Sequence, residues 1–96
     1  MSNKDAYEQK LQAKLEEMQA EVDKLKAKAN EAEADARIER EEEIDRLEAK
    51  REEMRKKLEE LRHSSDDAWD DIKAGAERAW DSLNESFEKA RSRFKK

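Results

Sequence analysis

From Tyr7 onward the chain places an apolar residue every three or four positions and fills most of the gaps with charge. Projected at about 100° per residue, Tyr7, Leu11, Leu15, Met18, Leu25, Ala29, Ala32 and Ala36 share a sector roughly 120° wide, with Val22 at its margin. Leu47, Met54, Leu58 and Leu61 fall in the same sector, with Ile44 at its border. Ala68, Trp69, Ile72, Ala76, Ala79, Trp80, Leu83, Phe87, Ala90 and Phe94 continue it to the end, and Ala27 and Ile38 lie off it. The mean spacing is about 3.6 residues, that of a helix under little supercoiling strain.

Locally the pattern tightens into heptads. Leu15, Val22, Ala29 and Ala36 occupy one core position, and Leu11, Met18, Leu25 and Ala32 the other. The frame slips by one residue before Ile44. Between Arg37 and Glu53 the stripe is contaminated by Arg40, Glu43, Lys50 and Arg51, so this is the weakest packing zone. Opposite charges three and four apart, worth about 0.2–0.5 kcal/mol per pair, keep that stretch helical while solvated.

Two places carry helix-start signals. Ser2-Asn3-Lys4-Asp5 precedes Tyr7, and Ser64-Ser65-Asp66-Asp67 precedes Trp69, each a serine with an acid three residues on, as in a capping box. After His63 the acids Asp66, Asp67, Asp70 and Asp71 come early and Lys89, Arg91, Arg93, Lys95 and Lys96 late, which suits the dipole of a separate helix. The expected fold is therefore all-α: a long charged coiled-coil helix within residues 1–63, then a shorter aromatic-rich amphipathic helix within 64–96. The second lies back on the first as an antiparallel hairpin, its aromatics covering the sparse stretch from Ile44 to Leu61. The alternative is one continuous helical rod, because the stripe passes His63 in phase with neither Gly nor Pro at the junction. A helix pair buries a single seam, so a homo-oligomer or another helical partner is expected in either case.

The last third repeats with an eleven-residue period: AWDDIKAGAER, AWDSLNESFEK, ARSRFKK. Eleven residues make three turns, which sets Trp69 and Trp80 about 20° apart on one face. Four of the five aromatics lie here, and it is the adhesive part of the chain. Gly75 sits beside the apolar arc, a place where a partner helix can approach closely. A basic end with Trp and Phe also suits reversible lipid contact, although Asp70, Asp71, Asp81 and Glu85 oppose it.

Composition narrows the function. The chain has 96 residues, 51% of them charged, and a net charge of −5 with both signs interleaved, so no basic field is present to attract nucleic acid. The absence of Pro, the single Gly and the regular apolar spacing favour long helices over disorder. No stretch approaches the roughly eighteen apolar residues of a membrane span, and no leader is evident, so a soluble cytoplasmic protein is expected. Without cysteine there is no thiolate metal site or thiol nucleophile. Glu60 and His63 have the spacing of di-iron bundle ligands, but both fall on the polar face. Paired acids such as Glu16-Glu17 and Glu52-Glu53 have no pocket to tune them. Neither enzyme activity nor a cofactor or metal is expected.

The segments MSNKDAYEQKLQAKLEEMQAEVDKLKAKANEAEADARIE and AWDDIKAGAERAWDSL resemble a group of short bacterial coiled-coil-containing proteins, and the resemblance spans nearly the whole chain. It implies a fold without an established activity. The eleven-residue units are similar to those of exchangeable apolipoproteins and late-embryogenesis-abundant proteins, which implies lipid or desiccation roles, though the Pro punctuation common in apolipoproteins is missing. The expected function is structural: a non-enzymatic scaffolding protein that self-associates through Leu11, Leu15, Met18, Val22, Leu25, Leu47, Met54, Leu58, Leu61, Trp69, Ile72, Ala76, Trp80, Leu83, Phe87 and Phe94. The alternative is a peripheral lipid-associating or stress-protective protein in which the aromatic face meets an interface.

Overall fold

The computed structural model describes residues 3–94 and forms three helices of nearly equal length: α1 (Asn3–Asn30), α2 (Ala34–Arg62) and α3 (Asp66–Phe94). The all-helical class agrees with the sequence pattern. The long first helix does not: in place of one helix over residues 4–62, the chain turns back at residues 31–33. Neither a two-helix hairpin nor a continuous rod is formed.

The position of this turn has a physical reason. Between Leu25 and Ile44 the stripe holds only Ala29, Ala32 and Ala36 and then Arg40 and Glu43, too little apolar area to hold a straight seam. Folding back there sacrifices the least burial, and it lets each apolar face meet two others instead of one. The frame slip before Ile44 is the same event, because α2 starts its own stripe. The second turn, at residues 63–65, lies where the serine and aspartate signals fall.

Both connections are three residues long, so α2 runs antiparallel to its neighbours and α1 and α3 run parallel to each other. Lys4 pairs with Asp66 and Tyr7 packs on Trp69 at one end, while Lys26 meets Glu48 (2.5 Å) and Arg93 meets Glu43 (2.7 Å) toward the other. The result is a slender bundle of 51 × 20 × 18 Å. Its α2 is central, since the backbones of α1 and α3 approach each other far less closely than either approaches α2.

The core is the predicted stripe. Leu11, Leu15, Met18, Val22, Leu25 and Ala29 of α1 meet Ile44, Leu47, Met54, Leu58 and Leu61 of α2 and Trp69, Ala76, Leu83, Phe87, Ala90 and Phe94 of α3. Ala27 and Ile38, off the stripe in the sequence, are exposed. At the second turn the cap differs from the expected box. Ser65, not Ser64, caps α3, its Oγ accepting the Ala68 N–H (3.3 Å), and the Ser64 hydroxyl donates back to the Leu61 carbonyl (2.8 Å). Ser2 of the first expected box, and Lys95 and Lys96, lie outside the described residues.

Gly75 does not admit a helix. A methyl group added there meets only the guanidinium tip of Arg78, at 3.8 Å. Gly75→Ala is therefore expected to raise stability by about 0.5–1 kcal/mol through helix propensity alone, measured as a rise in the urea midpoint without a change in slope.

Candidate functional site: the aromatic seam between α1 and α3

The sixteen residues predicted for helix packing are all brought onto one internal seam: fourteen are buried, and Ile72 and Trp80 are half-buried. They pack within one chain, so none of them is an unpartnered surface in this form. The aromatic face of α3 is divided, with Trp69, Phe87 and Phe94 in the core and Trp80 at the rim of the shallow groove between α1 and α3.

The charged residues that interrupt the stripe in α2 turn out to tie the helices together. Arg40 lies 5.2 Å from the centre of the Phe94 ring. Glu43, only 9% exposed, accepts from Arg46 (2.8 Å) on its own helix and from Arg93 (2.7 Å) on α3. Lys50 donates to Ser82 Oγ (2.7 Å), and Arg51 reaches the Leu15 carbonyl on α1 (3.5 Å). A helical wheel counts these side chains as polar contamination. Their length lets them bury an aliphatic stem on the seam and place the charged end on a neighbouring helix.

Every aromatic ring in the chain carries a cation. Lys14 sits over Trp80 (5.0 Å), Lys73 over both Tyr7 (4.8 Å) and Trp69 (5.6 Å), Lys4 over Trp69 (5.7 Å) and Arg91 over Phe87 (4.8 Å), besides Arg40 on Phe94. Each such contact is worth about 0.5–1 kcal/mol at a partly exposed site. This pairing of rings with cations is not visible in the apolar stripe itself. The usable signal was the set of basic residues flanking the stripe, Lys4 and Lys14 on α1 and Lys73 and Arg91 on α3, all on the sides that face across the groove.

At the end of the groove near the start of α1, Tyr7 packs edge-on against Trp69, with ring centres 5.6 Å apart and planes at 71°. The Tyr7 hydroxyl donates to Glu77 (3.4 Å). Burial, then the negative charge of Glu77 and the hydrogen bond to it, push the Tyr7 phenol up to about 12. A raised folded-state value favours the protonated ring, so its stabilising contribution is full below about pH 10 and is lost as pH climbs through about 12. With one tyrosine in the chain, tyrosinate absorbance reports this group alone. Its midpoint is expected near 12, and Glu77→Gln should lower it only part of the way toward 10, because burial is the larger cause. Next to this cluster the Asp66 carboxyl is held below the usual range by its bond to Lys4.

Two open depressions flank Trp80. One of about 260 Å³ is lined by Tyr7, Lys10, Lys14, Glu77 and Asp81, and another of about 370 Å³ has Met18 and Phe87 on its floor. Their walls carry both signs of charge, and no group of three potential metal ligands occurs among the described residues. Glu60 and His63 do not converge: Glu60 is near Lys57 (3.6 Å), and His63 projects into solvent 3.7 Å from Glu59. No helix among the described residues is long and apolar enough to cross a membrane. The chain matches no family profile, no curated protein and no solved structure.

Proposed function

We propose that this chain is a non-enzymatic structural or scaffolding protein whose partners are helices, copies of itself first among them. The observation that supports this reading is the distribution of its side chains. Nearly all large apolar groups lie on one seam of a kind that helices fill, and Ile38, at 58% exposure, is the exception among the described residues. The ionisable groups are spent on helix surfaces, as in Arg55–Glu52 (2.6 Å) and Arg62–Glu59 (2.9 Å), or on ties between helices such as Glu43–Arg93. Such a rod has the means to hold other helices at fixed spacing, and self-association through the apolar stripe requires that a helix of one copy take the place of its counterpart in another. The long-helix architecture expected from the sequence belongs to that associated form.

The lipid-associating alternative needs α3 to leave the bundle, because four of the six large apolar residues it would present, Trp69, Leu83, Phe87 and Phe94, are buried. One experiment separates the two roles: absolute mass across a dilution series, with tryptophan emission recorded before and after adding anionic phospholipid vesicles. The structural reading expects mass to rise with concentration and emission to stay unchanged by vesicles. A mass that never exceeds one chain, with emission that shifts on vesicles, refutes it in favour of lipid contact.

A further inference from the structure

We infer that the connection at residues 31–33 is a hinge, and that two copies of the chain exchange α1 through it. This inference rests on the helix-associating role proposed above. The two connections are built differently. At residues 63–65 two serine hydroxyls hold the turn, one bonded to the Leu61 carbonyl and one capping α3. At residues 31–33 no hydroxyl holds the turn, and the side-chain bond there is a long, exposed one from the Arg37 guanidinium to the Ala32 carbonyl (3.4 Å). The sequence is Glu-Ala-Glu, the chain has no positive-φ residue among those described, and Glu33 starts α2 with no side-chain cap.

This connection is also nearly helical. The Glu31 and Ala32 amides donate to Lys28 and Ala29 (3.2 and 3.1 Å), tightening the last turn of α1, and the Arg37 amide already bonds to Glu33 (2.8 Å). Glu33 has φ −65°, which is helical, and ψ 158°, which is not. Alanine and glutamate are good helix formers, so local preference on both sides of the turn favours straightening.

The heptad pattern points the same way. Leu11, Leu15, Met18, Val22, Leu25, Ala29, Ala32 and Ala36 keep alternating steps of four and three straight across the turn. In the bundle Ala32 and Ala36 are only half-buried. In a straightened chain they continue the seam and are small enough for two such helices to cross closely. The partner fits because it is identical: α1 of each copy finds on the other the contacts it makes at home, among them Lys26 with Glu48, Tyr7 with Trp69 and Arg51 with the Leu15 carbonyl. Exchange leaves the core composition unchanged and adds an uninterrupted backbone ladder. Each copy then holds a helix of about 90 Å over residues 3–62, at about 1.5 Å per residue, followed by α3. Short connections under opposing local preference are where such swaps arise.

Ala34→Pro tests the hinge. Ala34 is the first residue of α2, where proline is well accommodated, and Glu33 before it is already extended as a residue preceding proline prefers. The substitution keeps the bundle and forbids the straight helix. Asn30→Ala acts in the opposite sense by removing a residue that favours helix ends. Full-length chains are brought to equilibrium by warming toward the melting transition at high concentration, then sized by sedimentation. The wild type is expected to contain dimer, Ala34→Pro at least tenfold less with the same helix content, and Asn30→Ala severalfold more. A dimer population unchanged by Ala34→Pro overturns the hinge while leaving self-association standing. A wild type that stays a single chain at every concentration overturns both.

Discussion

Leu83→Ala is expected to lower the unfolding free energy by about 2–5 kcal/mol, measured by urea denaturation followed through helical circular dichroism. Leu83 lies near the middle of α3 and has no exposed surface. It belongs to the same buried cluster as Leu47 and Met54 of α2, and truncation leaves a cavity between rods that are rigid along their length. Small domains are stable by only about 5–15 kcal/mol, so this one change removes a large share and brings the melting transition down sharply. The same truncation at Ile38, which is 58% exposed, is expected to stay within about 0.5 kcal/mol. Equal losses at the two positions would mean that the apolar stripe is not the interior of the folded chain.

Trp69 separates packing from polarity. The residue is 8% exposed and packs against Tyr7, yet its indole Nε1 is buried without a hydrogen-bond partner. Trp69→Ala discards the ring, the edge contact and two lysine contacts, for a loss of about 3–5 kcal/mol. Trp69→Phe keeps a ring for Tyr7 and Lys73 while deleting an unsatisfied donor, itself a burden of about 1–3 kcal/mol. The gain offsets the lost area, and a net change within about 1 kcal/mol is expected. Trp80 remains as the fluorescent probe in both variants, so thermal unfolding can be followed identically. A loss for Trp69→Phe as large as for Trp69→Ala would show that the indole N–H is bonded in solution.

Much of the interior was legible in the sequence, because a helix displays its inward face at a fixed angular step. Val22, Leu47, Leu58 and Leu83 declare themselves by spacing alone, and Ile38 and Ala27 declare themselves outside. The turn after His63 was legible as well, since serine and aspartate have a chemical reason to stand at a helix start. The turn at residues 31–33 was not, for the opposite reason: Ala and Glu carry no turn chemistry, and what breaks the helix there is the loss of large apolar residues between Leu25 and Ile44. That is an effect of tertiary packing, visible in the sequence only as a frame slip and as Arg40 and Glu43 standing on the stripe. The wheel was equally silent on partners. It placed Trp69 and Trp80 on one face but had no means to say that Tyr7 and Lys14 of the same chain would cover them.

One chain closes its own stripe by turning at residues 31–33. X-ray solution scattering with absolute mass, taken at the dilute limit, tests it most directly. The expected result is the mass of one chain with a longest dimension close to the 51 Å of the bundle. A longest dimension near 90 Å at that same mass, the length of about sixty residues in one helix, would contradict it.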